Sequence, residues 1–166
     1  MAESESHANQ DLVEADFRGQ DLSGHDFSGA DLTNARLTGA NLSGANFSGA
    51  NLYRCYLDHT NLQGANFEGA DLEFAVLGAA DVSGANFTGA NMKRCNLVGT
   101  KGHGANLNGV DLYYSRPGNA DFERATFVGA NVERAIFRRA NLANADMSDT
   151  TGKANFDNAN LEGMKQ

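Results

Sequence analysis

Residues 39–52 read GANLSGANFSGANL. A large apolar residue returns every fifth position (Leu42, Phe47, Leu52), two residues after Ala and one after Asn. We call the large residue position i. Followed outward, i falls at Leu12 and every fifth residue to Met147, 28 positions in all, and only Gly102 and Pro117 among them are not Leu, Phe, Val or Met. One residue is missing near Gly152, after which the frame resumes at Phe156 and Leu161. A period of five fits neither the 3.6 of a helix nor the 2 of a strand, so the repeat itself specifies the fold.

In extended backbone the residues at i−2 and i share one face, while Asp or Asn at i−1 points to the other. Each pentapeptide is therefore a three-residue strand followed by a two-residue corner. The second corner position holds 15 of the 19 glycines, as expected where the chain needs a left-handed backbone. A chain that turns the same way at every corner winds into a coil. Phe recurs at i positions 27, 47, 67, 87 and 127, and Arg54, Phe74, Arg94, Tyr114 and Arg134 share one corner position 20 apart. Both series imply four pentapeptides per coil. Residues 10–164 then form nearly eight coils, a rod roughly 35–40 Å long at ~4.8 Å per stacked strand. Residues 1–9 read as a polar tail and 165–166 as a second short tail.

These repeats resemble the pentapeptide-repeat proteins over about residues 10–164. The resemblance implies an all-β fold, a right-handed quadrilateral β-helix with i and i−2 facing inward. It implies little about activity.

The 166 residues carry a net charge of −8, and the charge is uneven. Residues 1–83 have 13 acidic and 3 basic side chains, residues 84–166 have 8 and 10. One end of the rod is therefore acidic and able to steer a basic partner. No apolar run approaches a membrane span, and MAESESHANQ (1–10) has no signal-peptide core. The expected compartment is the cytoplasm.

Reactive chemistry is poorly served. Asp11, Asp16, Asp21, Asp26 and Asp31 recur at i−1, but on different faces, so they solvate the wall rather than converge on an ion. Cys55 and Cys95 share an inward column two coils apart, about 9–10 Å, too far for a disulfide. His59 and His103 lie on different faces, and His7 lies in the tail. No metal, cofactor or catalytic residue is expected.

The informative surface is where the repeat degenerates. Numbering the faces from the strand of Leu12, faces 3 and 4 carry small polar residues almost throughout. The corner between faces 1 and 2 does not. It shows Tyr53, Arg54 and Tyr56, then Glu73, Phe74 and Val76, then Lys93 and Arg94, then Tyr113, Tyr114 and Arg116, then Glu133, Arg134 and Ile136. Aromatics interleaved with Arg are common in recognition surfaces. They also shield one another along a stack, so the ridge reads either as structure or as a partner-binding site. Gly102 and Pro117 lie beside it and predict a void or an outward bulge.

At the N-terminal end the inward slots hold Gln10, Gln20 and His25, which suit a solvated cap. At the other end Phe137, Leu142, Phe156 and Leu161 continue almost to the last residue. An open coil end exposes core and unpaired strand groups, so self-association of two copies through this end is expected. The function expected is a rigid, non-catalytic scaffold that binds an unknown protein partner through the ridge. The alternative implied by the resemblance is a DNA-mimicking protein that binds gyrase, as in the quinolone-resistance branch of the family. A net positive C-terminal half and the lack of a C-terminal helix or long loop depart from that branch. Direct nucleic-acid binding is not expected, since the C-terminal excess is only +2.

Overall fold

The computed structural model describes residues 6–166. From Ser6↔Asp26 to Asn131↔Thr151, parallel bridges join every i−1 residue but Arg116 to the one 20 positions later. The chain is thus a solenoid with four pentapeptides per coil. Among the described residues bridging runs from Ser6 to Lys165, so the first coil takes in residues that the sequence reading placed in the polar tail. In the last coil the spacing falls to 19, as in Ile136↔Asn155. The missing residue is absorbed at Gly152, where an added Cβ would stand 2.6 Å from the Glu133 backbone.

The amides of one pentapeptide can be followed completely. Asn41 N–H donates to Gln20 C=O one coil back, Leu42 N–H to Asn61 C=O one coil forward and Gly44 N–H to Gln63 C=O. Ala45 N–H closes the corner onto Leu42 C=O at 3.0 Å. A single positive φ at the third turn position, +67° at Gly44, is the type II pattern. The fifth amide, Ser43 N–H, has no backbone acceptor and donates to the Asn41 side-chain oxygen at 3.3 Å. This explains Asp or Asn at i−1, because its oxygen reaches the amide two residues on. Neighbouring Asx side chains also bond between coils, as Asn61 Nδ2 does to Asn41 Oδ1 at 3.1 Å.

The interior is filled by i and i−2. Side chains from Phe27 to Met147 are almost fully buried. The rings of Phe27, Phe47, Phe67 and Phe87 stack 4.7–5.0 Å apart and within 5° of parallel, contacts worth about 0.5–1.5 kcal/mol each beyond burial. Thr60 and Thr100, which replace Ala at i−2, donate their hydroxyls to Leu57 C=O and Leu77 C=O. The Ser115 hydroxyl, equally buried, has no partner.

Neither irregular position makes a bulge. The Phe122 ring of the next coil occupies the space a Gly102 side chain would need. Pro117 stays buried in its column, and its cost is one ladder bond. It has no N–H for the Ile136 carbonyl, and the Arg116↔Ile136 bridge is the one missing from the 20-residue series.

The ends differ. His7 occupies an i position and stacks on Phe27 at 4.9 Å, with His25 5.7 Å away. At the C-terminal end Phe156 stacks on Phe137 at 5.3 Å. Phe137 and Leu142 are fully buried beneath this last coil, so they cannot take part in an end contact as expected from sequence. The terminal surface narrows to Phe156, Met164 and the 38% exposed Leu161. Beside Phe156 a cleft of about 320 Å³ opens between Met147, Asp149, Gly152 and Gln166.

Candidate interaction surface

The corner between faces 1 and 2 departs from the other three in backbone chemistry. Its second position holds Glu14, Asn34, Arg54, Phe74, Arg94, Tyr114 and Arg134, all with φ between +56° and +61°. The corners between faces 3 and 4 and between faces 4 and 1 use Gly at most of their coils, and the corner between faces 2 and 3 uses it at Gly19, Gly39 and Gly99. A side chain in the left-handed region costs about 1 kcal/mol or more, and this corner bears it at seven successive coils.

The side chains form a ladder. Arg54 and Arg94 lie on opposite sides of Phe74 in the stack, at 5.6 and 5.2 Å from its ring. Arg54 also lies 5.2 Å from Tyr53, whose ring meets Phe74 edge-on. Arg134 packs over Tyr114 at 5.1 Å and donates to its hydroxyl. That bond holds the guanidinium above its ordinary range. Tyr113 meets Tyr114 edge-on, and Lys93 pairs with Asp111 at 3.2 Å. The ladder therefore supports itself, and the exposed contacts are worth about 0.5–1 kcal/mol each.

The outer wall of face 2 is not engaged in this way. Its i−1 column reads Asp16, Arg36, Tyr56, Val76, Asn96, Arg116, Ile136, Asn155. Asp or Asn is thus lost at five coils, and with it the oxygen that meets the fifth amide. The N–H groups of Thr38, Asp58, Gly78, Gly118 and Arg138 donate no hydrogen bond among the described residues. On faces 1 and 4 the equivalent amide is bonded at every coil described, and on face 3 only His103 lacks an acceptor beside Lys101.

Apolar side chains stand on the same wall: Tyr56 is 47% exposed, Val98 43% and Ile136 40%. Two hollows cross it. One, about 630 Å³, lies between Phe74, Arg94, Tyr114 and Ile136. The other, about 230 Å³, is bounded by Val98, Gly118, Arg138 and Arg139. Arg116 and Ile136 line both.

Charge is segregated across the rod as well as along it. Face 2 and its two bounding corners hold ten of the thirteen Lys and Arg and only six Asp and Glu, a net of +4. The remaining described surface holds three basic and thirteen acidic residues, a net of −10.

All ten ridge residues read from sequence lie on this surface. Tyr53, Phe74, Lys93 and Tyr113 are half-buried, while Arg54, Tyr56, Arg94, Tyr114, Arg116 and Arg134 are exposed. Sequence reading missed Val98, Arg138 and Arg139. Asp or Asn is lost at Ile136, in the pentapeptide of Arg138 and Arg139, whereas the pentapeptide of Val98 keeps Asn96. Elsewhere, Cys55 and Cys95 are free and buried, bonded to Ala35 C=O and Leu72 C=O, and burial pushes both thiols up. Among the described residues no group of three His, Cys, Asp or Glu could hold a metal ion, and no helix is long and apolar enough to cross a membrane.

The family model for pentapeptide repeats, described as eight copies, matches residues 11–49, 50–89, 80–113 and 118–151. The chain belongs to the pentapeptide-repeat family. It is similar in fold to trypsin-treated QnrB1, a plasmid-mediated fluoroquinolone resistance protein, at 19% identity and a TM-score of 0.63 over 98% of this chain and 89% of that one. HetL, a pentapeptide-repeat protein involved in heterocyst differentiation regulation in the cyanobacterium Nostoc, matches at 26% identity and a TM-score of 0.39, covering 96% and 87%. A pentapeptide-repeat protein of the Arabidopsis thaliana thylakoid lumen matches at 34% identity and a TM-score of 0.29, covering 74% and 71%. No curated protein sequence matches the chain.

Proposed function

We propose that this chain is a rigid, right-handed four-sided rod that serves as a non-catalytic scaffold. It binds a protein partner through the corner between faces 1 and 2 and the adjoining wall of face 2. One observation carries this reading. The exposed aromatic, aliphatic and Arg side chains are concentrated on one side of the rod, at positions where the coil accepts Gly and Asx. Strain held at successive positions fits a surface kept for contact. The test is a pull-down from the native cell with wild type and with Arg54, Arg94 and Tyr114 changed to Ser. The partner is expected to be lost from the variant while its melting temperature stays near that of wild type. Equal capture by both proteins removes the reading.

We also propose that the C-terminal coil meets a second copy of the chain. The net charge of −10 on the rest of the described surface favours a second reading, a DNA-mimicking protein of the quinolone-resistance type. Gyrase supercoiling with and without ciprofloxacin separates the two. The absence of both inhibition and protection removes the mimic.

A further inference from the structure

The five unpaired amides of face 2 all occupy one position, two residues after the missing Asx. On the other faces, His103 excepted, a side-chain oxygen meets this N–H 2.8–3.4 Å away. At these five positions of face 2 no side-chain oxygen takes that place. Two of the five, Gly118 and Arg138, line the 230 Å³ hollow, where the side chains of Arg116, Arg138 and Arg139 also gather. Gly118 has no side chain to cover its own amide. Backbone donors beside several guanidinium groups form an anion-binding arrangement. The hollow's other walls, Val98 and Ile136, are apolar. The neighbouring hollow offers Phe74, Tyr114 and Ile136.

We propose that face 2 binds an extended acidic segment of another protein, seating a carboxylate in the Gly118–Arg138 hollow and an apolar side chain against Phe74 and Ile136. This rests on the interaction-scaffold reading and names the chemistry of its partner. The occupant must supply negative charge to a strip of net +4 and apolar surface to its exposed aliphatics. The two hollows, from the coil of Phe74 to that of Arg138, span three coil rises, ~14 Å, the reach of four to five extended residues. A nucleic acid strand fits less well, because the rest of the described surface carries net −10 and the chain as a whole −8.

The test uses the whole chain and fluorescence anisotropy with three labelled probes. These are a peptide of about ten residues alternating Glu and Leu, its Gln-for-Glu counterpart, and an oligothymidine of matching length. The Glu peptide is expected to bind about tenfold tighter than the Gln peptide, and binding should weaken with salt. Changing Arg138 and Arg139 together to Ser should remove most of that preference. Ile136→Asn restores an acceptor for the Arg138 amide and should weaken the Glu peptide more than Ile136→Ala, which removes the apolar surface alone. Equal binding of the two peptides, no binding of the Glu peptide, or tighter binding of oligothymidine overturns the proposal. So does an unchanged affinity in the Arg138/Arg139 variant, which does not depend on how Ile136→Asn folds. None of these outcomes touches the scaffold reading, whose own test is capture of the native partner by the corner residues.

Discussion

Gly102 and Phe122 act as one unit at the scale of the residue. The i column of face 3 is otherwise Leu22, Leu42, Leu62, Val82, Leu142 and Leu161, and the Phe122 ring takes up the volume that Gly102 gives away. Gly102→Ala should therefore overpack the column and cost about 1–3 kcal/mol in urea unfolding. Exchanging both residues for Leu should recover most of that loss. Ser115 is the opposite case. Its column places Ala at 15, 35, 75 and 135, and its buried hydroxyl has no partner. Ser115→Ala removes an unmet polar group and should raise stability by about 1 kcal/mol, checked by the same titration. The five-residue frame alone locates both positions in the core, but not their packing. Whether a gap is filled by the coil above or the wall moves inward depends on rotamers that a period does not encode.

Elements here are corners and Asx ladders. At the corner between faces 1 and 2, changing Arg54, Arg94 and Arg134 to Gly relieves a left-handed side chain worth about 1 kcal/mol each. It removes exposed cation–π contacts worth about 0.5–1 kcal/mol each. The two offset, so the triple variant should melt within about 4 °C of wild type. A large cooperative loss would make the ladder structural rather than functional. The Asx ladder carries a pH dependence. Hydrogen bonds from the amides and side chains at i+1 lower Asp21, Asp26, Asp31 and Asp146 from 3.8, and the Arg18 guanidinium lowers Asp16 to about 2. A carboxylate held lower in the folded state than in the unfolded chain favours folding above its unfolded value. That contribution is lost as pH falls through the folded value. The melting temperature should accordingly decline as pH drops from about 4 to 2, and less in a variant with these five Asp changed to Asn. The corner was legible in sequence, because bulky residues where Gly is allowed are visible without coordinates. The unpaired amides were not. Val98 or Arg138 alone is an ordinary surface residue, and only the full account of a pentapeptide's five N–H groups shows what face 2 lacks.

At the scale of the molecule, the rod is closed on its sides and open at its ends. Lateral strand groups are paired from coil to coil, so the remaining edges are the first and last coils. The N-terminal end is covered in part by polar and aromatic groups, with His7 over Phe27 and Gln10 within hydrogen-bond reach of His7. The C-terminal end has no such cover among the described residues. Phe156 and Met164 are only partly buried, Leu161 is 38% exposed, and a cleft opens beside Phe156. A second copy placed end to end would bury the same patch on both chains, which is an isologous two-fold contact. The end of a single coil is small, so the interface falls near the low end of specific interfaces. Dimers are therefore expected at micromolar concentration rather than below it. Sedimentation equilibrium should show twice the 17.6 kDa chain mass. Leu161→Arg places a charge in the centre of that contact without touching the buried columns beneath, and should return the protein to monomer at an unchanged melting temperature. A wild-type monomer across the micromolar range would mean that the last coil is stable in water as it stands. The rod would then present only its sides, and face 2 would be its one surface adapted for a partner.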